Sequence, residues 1–347
     1  MKILLLACPR HGQLKQIASR FNGMISSLDQ VGLWGRYYAL HTADQLRSIL
    51  LVEKPDIVYS ANLTTVGRTN ERVSIHKLLA DAEVPYIGSS TDVLKSVLSK
   101  STLKDEWRKN GLHTPGSILL TAGKPINDEL QNFVNKVSFP LLIKPDREGN
   151  SRGLEENSIV FEYRTLKRKI RSLFEKYEFV LVEKFLTGDN VHEFTVAMIG
   201  NGTNKILMPA QIKLKVKKEH RLITTRDKEE HKTTATPVVD EKLKAKLIEF
   251  ASRAFEIAGV RDYARCDLMM IDDSLYAIEI NGLPMIPDKW FEVCASGAGL
   301  NATQYILAII LAGIVRNIKS GIGNLEIPDE IRENLPVQIF TTLTRGM

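Results

Sequence analysis

Two apolar runs flank Asp272-Asp273-Ser274, and this stretch constrains the chain more than any other. The pattern predicts a β-hairpin of two short strands joined by a polar turn. Side chains two apart on a strand share a face. Arg265 and Asp267 therefore point one way, and Glu279 and Asn281 point together from the second strand, while Cys266 and Ile280 fit a buried opposite face. Two carboxylates, a carboxamide and a guanidinium on one face suit a hard cation such as Mg²⁺, which is held by one or two carboxylates plus substrate phosphates. The guanidinium suits a phosphate or a developing oxyanion. An exposed hairpin face with a surface ion pair fits the same pattern, so the rest of the chain has to decide.

At 347 residues there is room for two or three domains, each with its own core. The 44% hydrophobic and 25% charged content is that of an ordinary globular protein. A net charge of +6 permits anionic substrates without arguing for nucleic acid, and none is expected as a partner. Cys8, Cys266 and Cys294 show neither metal-ligand spacing nor a disulfide framework, so a reducing cytoplasm is the expected setting. The apolar run ending at Cys8 is too short for a signal peptide and reads as a first buried strand. No run approaches the roughly 18 apolar residues of a membrane span. Residues 306–315 read as a core-facing helix, and no membrane contact is expected.

Residues 1–95 alternate strand and helix patterns, with a helix over 73–79, which predicts a parallel sheet. No dinucleotide fingerprint occurs there. Residues 96–187 read as a small α+β unit. A helix over 92–110 carries Lys100 into it, a strand ends at Lys144-Pro145, a polar glycine-bearing loop follows, and a further strand holds Glu183 and Lys184. Residues 188–317 read as a second α+β unit. Two strands pair across Asn201-Gly202, a long polar loop fills 214–236, and Asp240 caps a helix that runs to Gly259 ahead of the hairpin. Lys213, Lys215 and Lys217 share a face at period 2, and a solvated face is the preferred reading over an anion site. Residues 318–347 show no clear period.

The order of motifs resembles the ATP-grasp superfamily, and within it the D-alanine–D-alanine ligases, over roughly residues 85–312. The motifs are Tyr-Ile-Gly-Ser-Ser at 86–90, Leu-Ile-Lys-Pro-Asp-Arg-Glu-Gly-Asn-Ser-Arg-Gly at 142–153, Val-Leu-Val-Glu-Lys-Phe-Leu at 180–186, Glu-Phe-Thr-Val-Ala at 193–197, Arg-Cys-Asp at 265–267 and Glu-Ile-Asn-Gly-Leu-Pro at 279–284. The resemblance implies an ATP-grasp fold: an N-terminal parallel α/β domain followed by two α+β subdomains that sandwich ATP. It implies Lys100 and Lys144 on the ATP phosphates and Ser151 closing over them. Glu183, Lys184 and Leu186 would line the adenine pocket, partly through backbone groups, and Glu193 would hold the ribose. Asp267, Glu279 and Asn281 would bind two Mg²⁺ ions, with Mn²⁺ an acceptable substitute, and Arg265 would stabilise the transferring phosphoryl group. Arg226 would occupy the family's lysine position in the 214–236 loop. Ordinary solvated lysines, a plain surface turn and a strand-edge carboxylate are the competing readings. A homodimer is the family expectation.

The implied reaction joins a carboxylate to an amine through an acylphosphate, which needs positioning and charge neutralisation more than a nucleophilic side chain. Two departures bear on substrates. No Asp or Glu occurs between residues 2 and 28, where the family carries a glutamate, and Arg10 and His11 stand in that loop. Met285 and Trp290 fall where the family has a glycine and a serine. The preferred reading is therefore an amide-forming ligase of this type acting on other small-molecule carboxylate and amine substrates. The alternatives are a genuine D-alanine–D-alanine ligase of cell-wall synthesis and a non-catalytic ATP-binding protein.

Overall fold

The computed structural model describes residues 1–9, 14–149, 152–188, 190–216, 222–224, 227, 230 and 232–347. The chain begins with β1 (Lys2–Ala7), α1 (Leu14–Asp29), β2 (Trp34–Ala39), α2 (Ala43–Glu53), β3 (Ile57–Ser60), the small antiparallel pair β4 (Thr64–Val66) and β5 (Arg72–Ser74), α3 (Ile75–Asp81) and β6 (Tyr86–Ile87). β2, β1, β3 and β6 form a parallel sheet in that order. A strand covered on both faces needs a continuous apolar run, and β1 supplies one. Ile3, Leu5 and Ala7 face one core, and Leu4 and Leu6 face another. The helix expected over 73–79 begins only at Ile75, because the preceding residues pair with β4.

The helix expected over 92–110 is two helices, α4 (Thr91–Leu98) and α5 (Lys100–Lys109), broken at Ser99. The cause lies 47 residues away. The buried Asp146 carboxylate accepts from Ser99 Oγ at 2.8 Å and from the Ser101 backbone N–H at 2.7 Å, which caps α5 in trans.

β7 (Ser117–Thr121), α6 (Asn127–Val137), β8 (Leu141–Pro145), β9 (Ile159–Val160), α7 (Tyr163–Phe174) and β10 (Phe179–Lys184) build an antiparallel sheet of order β7-β10-β8-β9. Leu141, Ile143, Val180 and Val182 pack against Leu130 of α6 and Leu166 and Ile170 of α7, a core of its own. Leu142, Lys144 and Glu183 alternate with these and take the opposite face.

β11 (Val191–Asn201), β12 (Asn204–Leu214), β13 (Thr233–Pro237), α8 (Glu241–Ala258), β14 (Asp262–Ile271) and β15 (Ser274–Asn281) follow. They give a five-stranded antiparallel sheet of order β13-β12-β11-β14-β15. Asp240 caps α8 by accepting from Leu243 N, and Gly259 ends it at φ 66°. The polar stretch 214–236 is not loop throughout: its last residues form β13 on β12, where threonines suit a sheet-edge strand. One face of this sheet buries Phe194, Val196, Cys266 and Leu268 against Leu247 and Phe255 of α8 and Trp107 of α5.

The other face buries Ala197, Ile199 and Tyr263 beneath α9 (Lys289–Ser296) and α10 (Ala302–Lys319). α10 is long and apolar enough to cross a membrane by length and composition, but residues 305–317 are buried inside the protein. Its neighbours include Ile3 and Leu5 of β1 and Phe21 of α1, so the parallel sheet and the five-stranded sheet share one core. The tail without a clear period folds as α11 (Asp329–Asn334) and α12 (Val337–Thr344), whose Ile331 and Leu343 join that core.

Candidate active site

The hairpin of β14 and β15 turns through Asp272 and Asp273 at φ 47° and 56°. That left-handed pair is the two-residue turn whose twist matches the flanking strands, and Asp tolerates it. Pairing runs regularly from Ile271 opposite Ser274 to Leu268 opposite Ala277, then shifts at a bulge, after which Asp267 faces Glu279 and Arg265 faces Asn281. Ile278 is the extra residue. The bulge brings all four hairpin residues to one face, with Cys266 and Ile280 buried on the other.

That face forms one wall of an open cleft, to which Glu193, Asp267 and Glu279 contribute. Lys144, Glu183, Lys184 and Leu186 of the central sheet and its exit contribute from the opposite wall. Asp267 and Glu279 have side chains 23% and 37% exposed, open enough to meet a ligand. Thr195, opposite Asp267 on β11, donates its hydroxyl to Asp267 Oδ1 at 2.7 Å and fixes that carboxylate. Paired hard-oxygen donors facing a cleft fit a divalent cation such as Mg²⁺.

Arg265 lies 3.5 Å from Asp267 and 2.9 Å from Asp288, with its guanidinium stacked 5.1 Å from the Trp290 ring. Burial pulls its pKa down, but Asp267 and Asp288 outweigh burial and hold it above its ordinary value. Asp288 also caps α9 through Phe291 N. Asn281 Oδ1 accepts from Leu283 N at 3.2 Å.

Lys100 opens α5. Its ammonium donates to the Glu148 carbonyl at 2.5 Å and stands 3.9 Å from Glu279, which ties the base of the glycine-bearing loop to the carboxylate pair. Burial lowers its pKa, and Glu279 partly offsets this. The Lys184 ammonium turns away to the Phe139 carbonyl at 2.9 Å, so its backbone is what it offers the cleft. Ser151 and Arg226, with Arg10, His11 and Lys217, lie outside the described residues. Met285 packs on the shared core, whereas Trp290 lines the cleft.

Residue-by-residue reading missed several supports. Lys104 is fully buried and stands 3.3 Å from Glu183, whose other oxygen is 2.5 Å from Lys144. Burial would raise the Glu183 pKa, but Lys104 and Lys144 outweigh it and hold Glu183 below its ordinary value. Asp146, Thr195 and Asp288 were also missed. Only Lys104 gave a local signal: it follows Lys100 by one turn, on the side of α5 that carries Leu103 and Trp107 inward.

Residues 107–311 match the family model described as D-ala D-ala ligase C-terminus. The chain belongs to the D-alanine–D-alanine ligase family. It is an ATP-dependent ligase that forms carbon–nitrogen bonds on the ATP-grasp fold, a class that works with ATP and a divalent metal, and the non-catalytic reading is set aside. The D-alanine–D-alanine ligase of Carboxydothermus hydrogenoformans is 27% identical over 284 residues, 80% of this chain and 88% of that protein. That of Aquifex aeolicus is 26% identical over 313 residues, 89% of this chain and 100% of that protein. The structure of the Bacillus anthracis D-alanine–D-alanine ligase complexed with ATP superposes with a TM-score of 0.72 at 22% identity, covering 92% of this chain and 100% of that one. The VanG D-Ala:D-Ser ligase of Enterococcus faecalis superposes with a TM-score of 0.67 at 16% identity, covering 90% and 99%. At these identities the two structures speak to the fold.

Proposed function

We propose that this chain joins the carboxylate of one D-alanine to the amine of a second, with ATP cleaved to ADP and phosphate. The observation that carries the reading is the facing pair Asp267 and Glu279, beside Arg265, on a cleft whose other wall holds Lys144 and Glu183. The names of the family relatives support D-alanine on both sides, against the preference for other substrates drawn from Met285 and Trp290.

In this reading a carboxylate oxygen attacks the γ-phosphorus and the bond to the β-phosphate oxygen breaks, releasing ADP and leaving an acylphosphate. The amine nitrogen then attacks the acyl carbon, a proton leaves the nitrogen, and phosphate departs. Asp267, Glu279 and Asn281 would hold two Mg²⁺ ions, which supply charge neutralisation on the phosphates. Lys100 and Lys144 orient the phosphates, Ser151 would close over them, and Arg226 would keep the positive charge of the family's lysine position. Arg265 stabilises charge on the transferring group and on the later oxyanion. Glu183, Lys184, Leu186 and Glu193 seat the nucleoside. The division at residues 95, 187 and 317 serves as the working domain map, supported by each sheet lying within one span. A cytoplasmic setting fits the free thiols of Cys8, Cys266 and Cys294. A homodimer completes the working picture.

A second reading, a different amine acceptor, is favoured by Trp290, whose ring stacks on Arg265 and lines the cleft. Mg²⁺-dependent ADP release with D-alanine alone and with D-alanine paired with other amines, followed by mass spectrometry, separates the two. The dipeptide from D-alanine alone supports the first. No dipeptide at saturating D-alanine, with a mixed amide from another amine, replaces it with the second.

A further inference from the structure

We propose that Lys104 is a positioning residue for nucleotide binding: it holds the Glu183 carboxylate from behind, which leaves the positive charge of Lys144 available to an anion in the cleft. The proposal deepens the reading of this cleft as a nucleotide site and rests on it.

Lys104 (0% exposed), Glu183 (3%) and Lys144 (4%) form a nearly dry cluster of two ammonium groups and one carboxylate. Glu183 divides its oxygens between them, Oε1 at 2.5 Å from Lys144 and Oε2 at 3.3 Å from Lys104. Glu183 and Lys144 line the cleft. Lys104 reaches the cluster from α5, and its ammonium donates to Thr114 Oγ1 at 3.0 Å, which in turn donates to the Ala277 carbonyl at 2.7 Å. Burying an ammonium is costly unless a partner group offsets it, and here the Glu183 charge and the Thr114 hydroxyl do so. Burial still lowers the Lys104 pKa to about 8, with the Glu183 charge opposing the shift.

Charge counting gives the consequence. One carboxylate shared by two ammonium groups leaves a net single positive charge. Lys104 faces the protein and Lys144 faces the cleft, so the surplus is felt on the cleft side, where low polarity makes it strong. Without Lys104, Lys144 and Glu183 would form a neutral pair with little attraction for a phosphate. Lys104 therefore acts on the anionic part of a nucleotide through Glu183, without touching it.

The test uses the full chain with Mg²⁺ and competition of ADP and of adenosine against a fluorescent adenine nucleotide. Lys104→Met should weaken ADP about tenfold and adenosine less than about twofold, because the nucleoside carries no phosphate charge. Adding Glu183→Gln restores the net charge, and the ratio of ADP to adenosine affinity should return to within about threefold of the parent. Unchanged ADP affinity in Lys104→Met, or an equal loss for ADP and adenosine, would overturn the proposal. If Lys104→Met does not fold, Glu183→Gln alone decides. Both ammonium groups then lose their shared carboxylate, the net charge rises from one to two, and the ratio of ADP to adenosine affinity should rise by about threefold or more; an unchanged or lower ratio overturns the proposal. Failure of ADP to compete in the parent protein would instead remove the nucleotide reading itself.

Discussion

Glu279 stands opposite Asp267 because Ile278 is extruded from the ladder between them. With regular pairing continued from Ala277, Asp267 would face Ile278, and Glu279 would lie with Cys266 in the core. Deleting Ile278 should instead close the ladder with Glu279 still opposite Asp267, so Mg²⁺-dependent ADP release should persist and stability should change by no more than about 2 kcal/mol. ADP release and denaturant unfolding check this, and a folded variant that lost metal-dependent release would show that the bulge's own geometry, and not the pairing, aims the carboxylates.

Asp267→Asn and Glu279→Gln keep size and remove charge. Each should lower Mg²⁺-dependent ADP release by on the order of 100-fold. The melting temperature should barely change, since both side chains are partly exposed. Full turnover in either variant would remove it from the metal site.

His76 is buried against Ser89, whose carbonyl lies 2.7 Å from its Nδ1, and burial lowers its pKa from 6.5 to about 4. Above pH 6.5 neither the folded nor the unfolded chain binds a proton here. Between pH 6.5 and 4 the unfolded chain takes up the proton first, so stability falls as pH falls. The loss reaches about 3 kcal/mol by pH 4. Urea midpoints of the parent and of His76→Gln should therefore converge as pH drops from 7 to 4. Parallel curves would show that His76 does not contribute.

Much of this site was legible because its chemistry is local. Alternation alone put Arg265 with Asp267 and Glu279 with Asn281, and the structure keeps both pairs. The bulge that joins them left only a phase break, with Leu275 and Ala277 inward and then Ile280. The division of the 92–110 helix at Ser99 could not be read locally, since the capping carboxylate belongs to Asp146. The inward side of α5 marks Lys104 locally, but its partner is 79 residues away and shows only once Glu183 is placed behind it. Short proline-led helices such as α12, which begins after Pro336, offer too few turns for a period to show.

Asp262 and Arg316 form a buried pair with two contacts of 2.8 Å, and Asp262 also accepts from Gly88 N at 2.7 Å. Arg316→Met leaves that carboxylate without its countercharge and should cost about 3–5 kcal/mol. Adding Asp262→Asn should recover part of the loss, because the two changes share one interaction. Thermal and urea unfolding of the single and double variants check this, and strict additivity would mean that the pair is not coupled.

The core shared through α10 has a mechanical consequence. The parallel sheet and the five-stranded sheet are pinned together as one anvil, while the sheet carrying Lys144 and Glu183 closes its own core and stands as a separate leaf. A motion that opened the cleft would meet its least-shared core at the leaf, would have to part Asp146 from Ser99 and Ser101 and Glu183 from Lys104, and would leave Asp267, Glu279 and the end of β1 on one packed body.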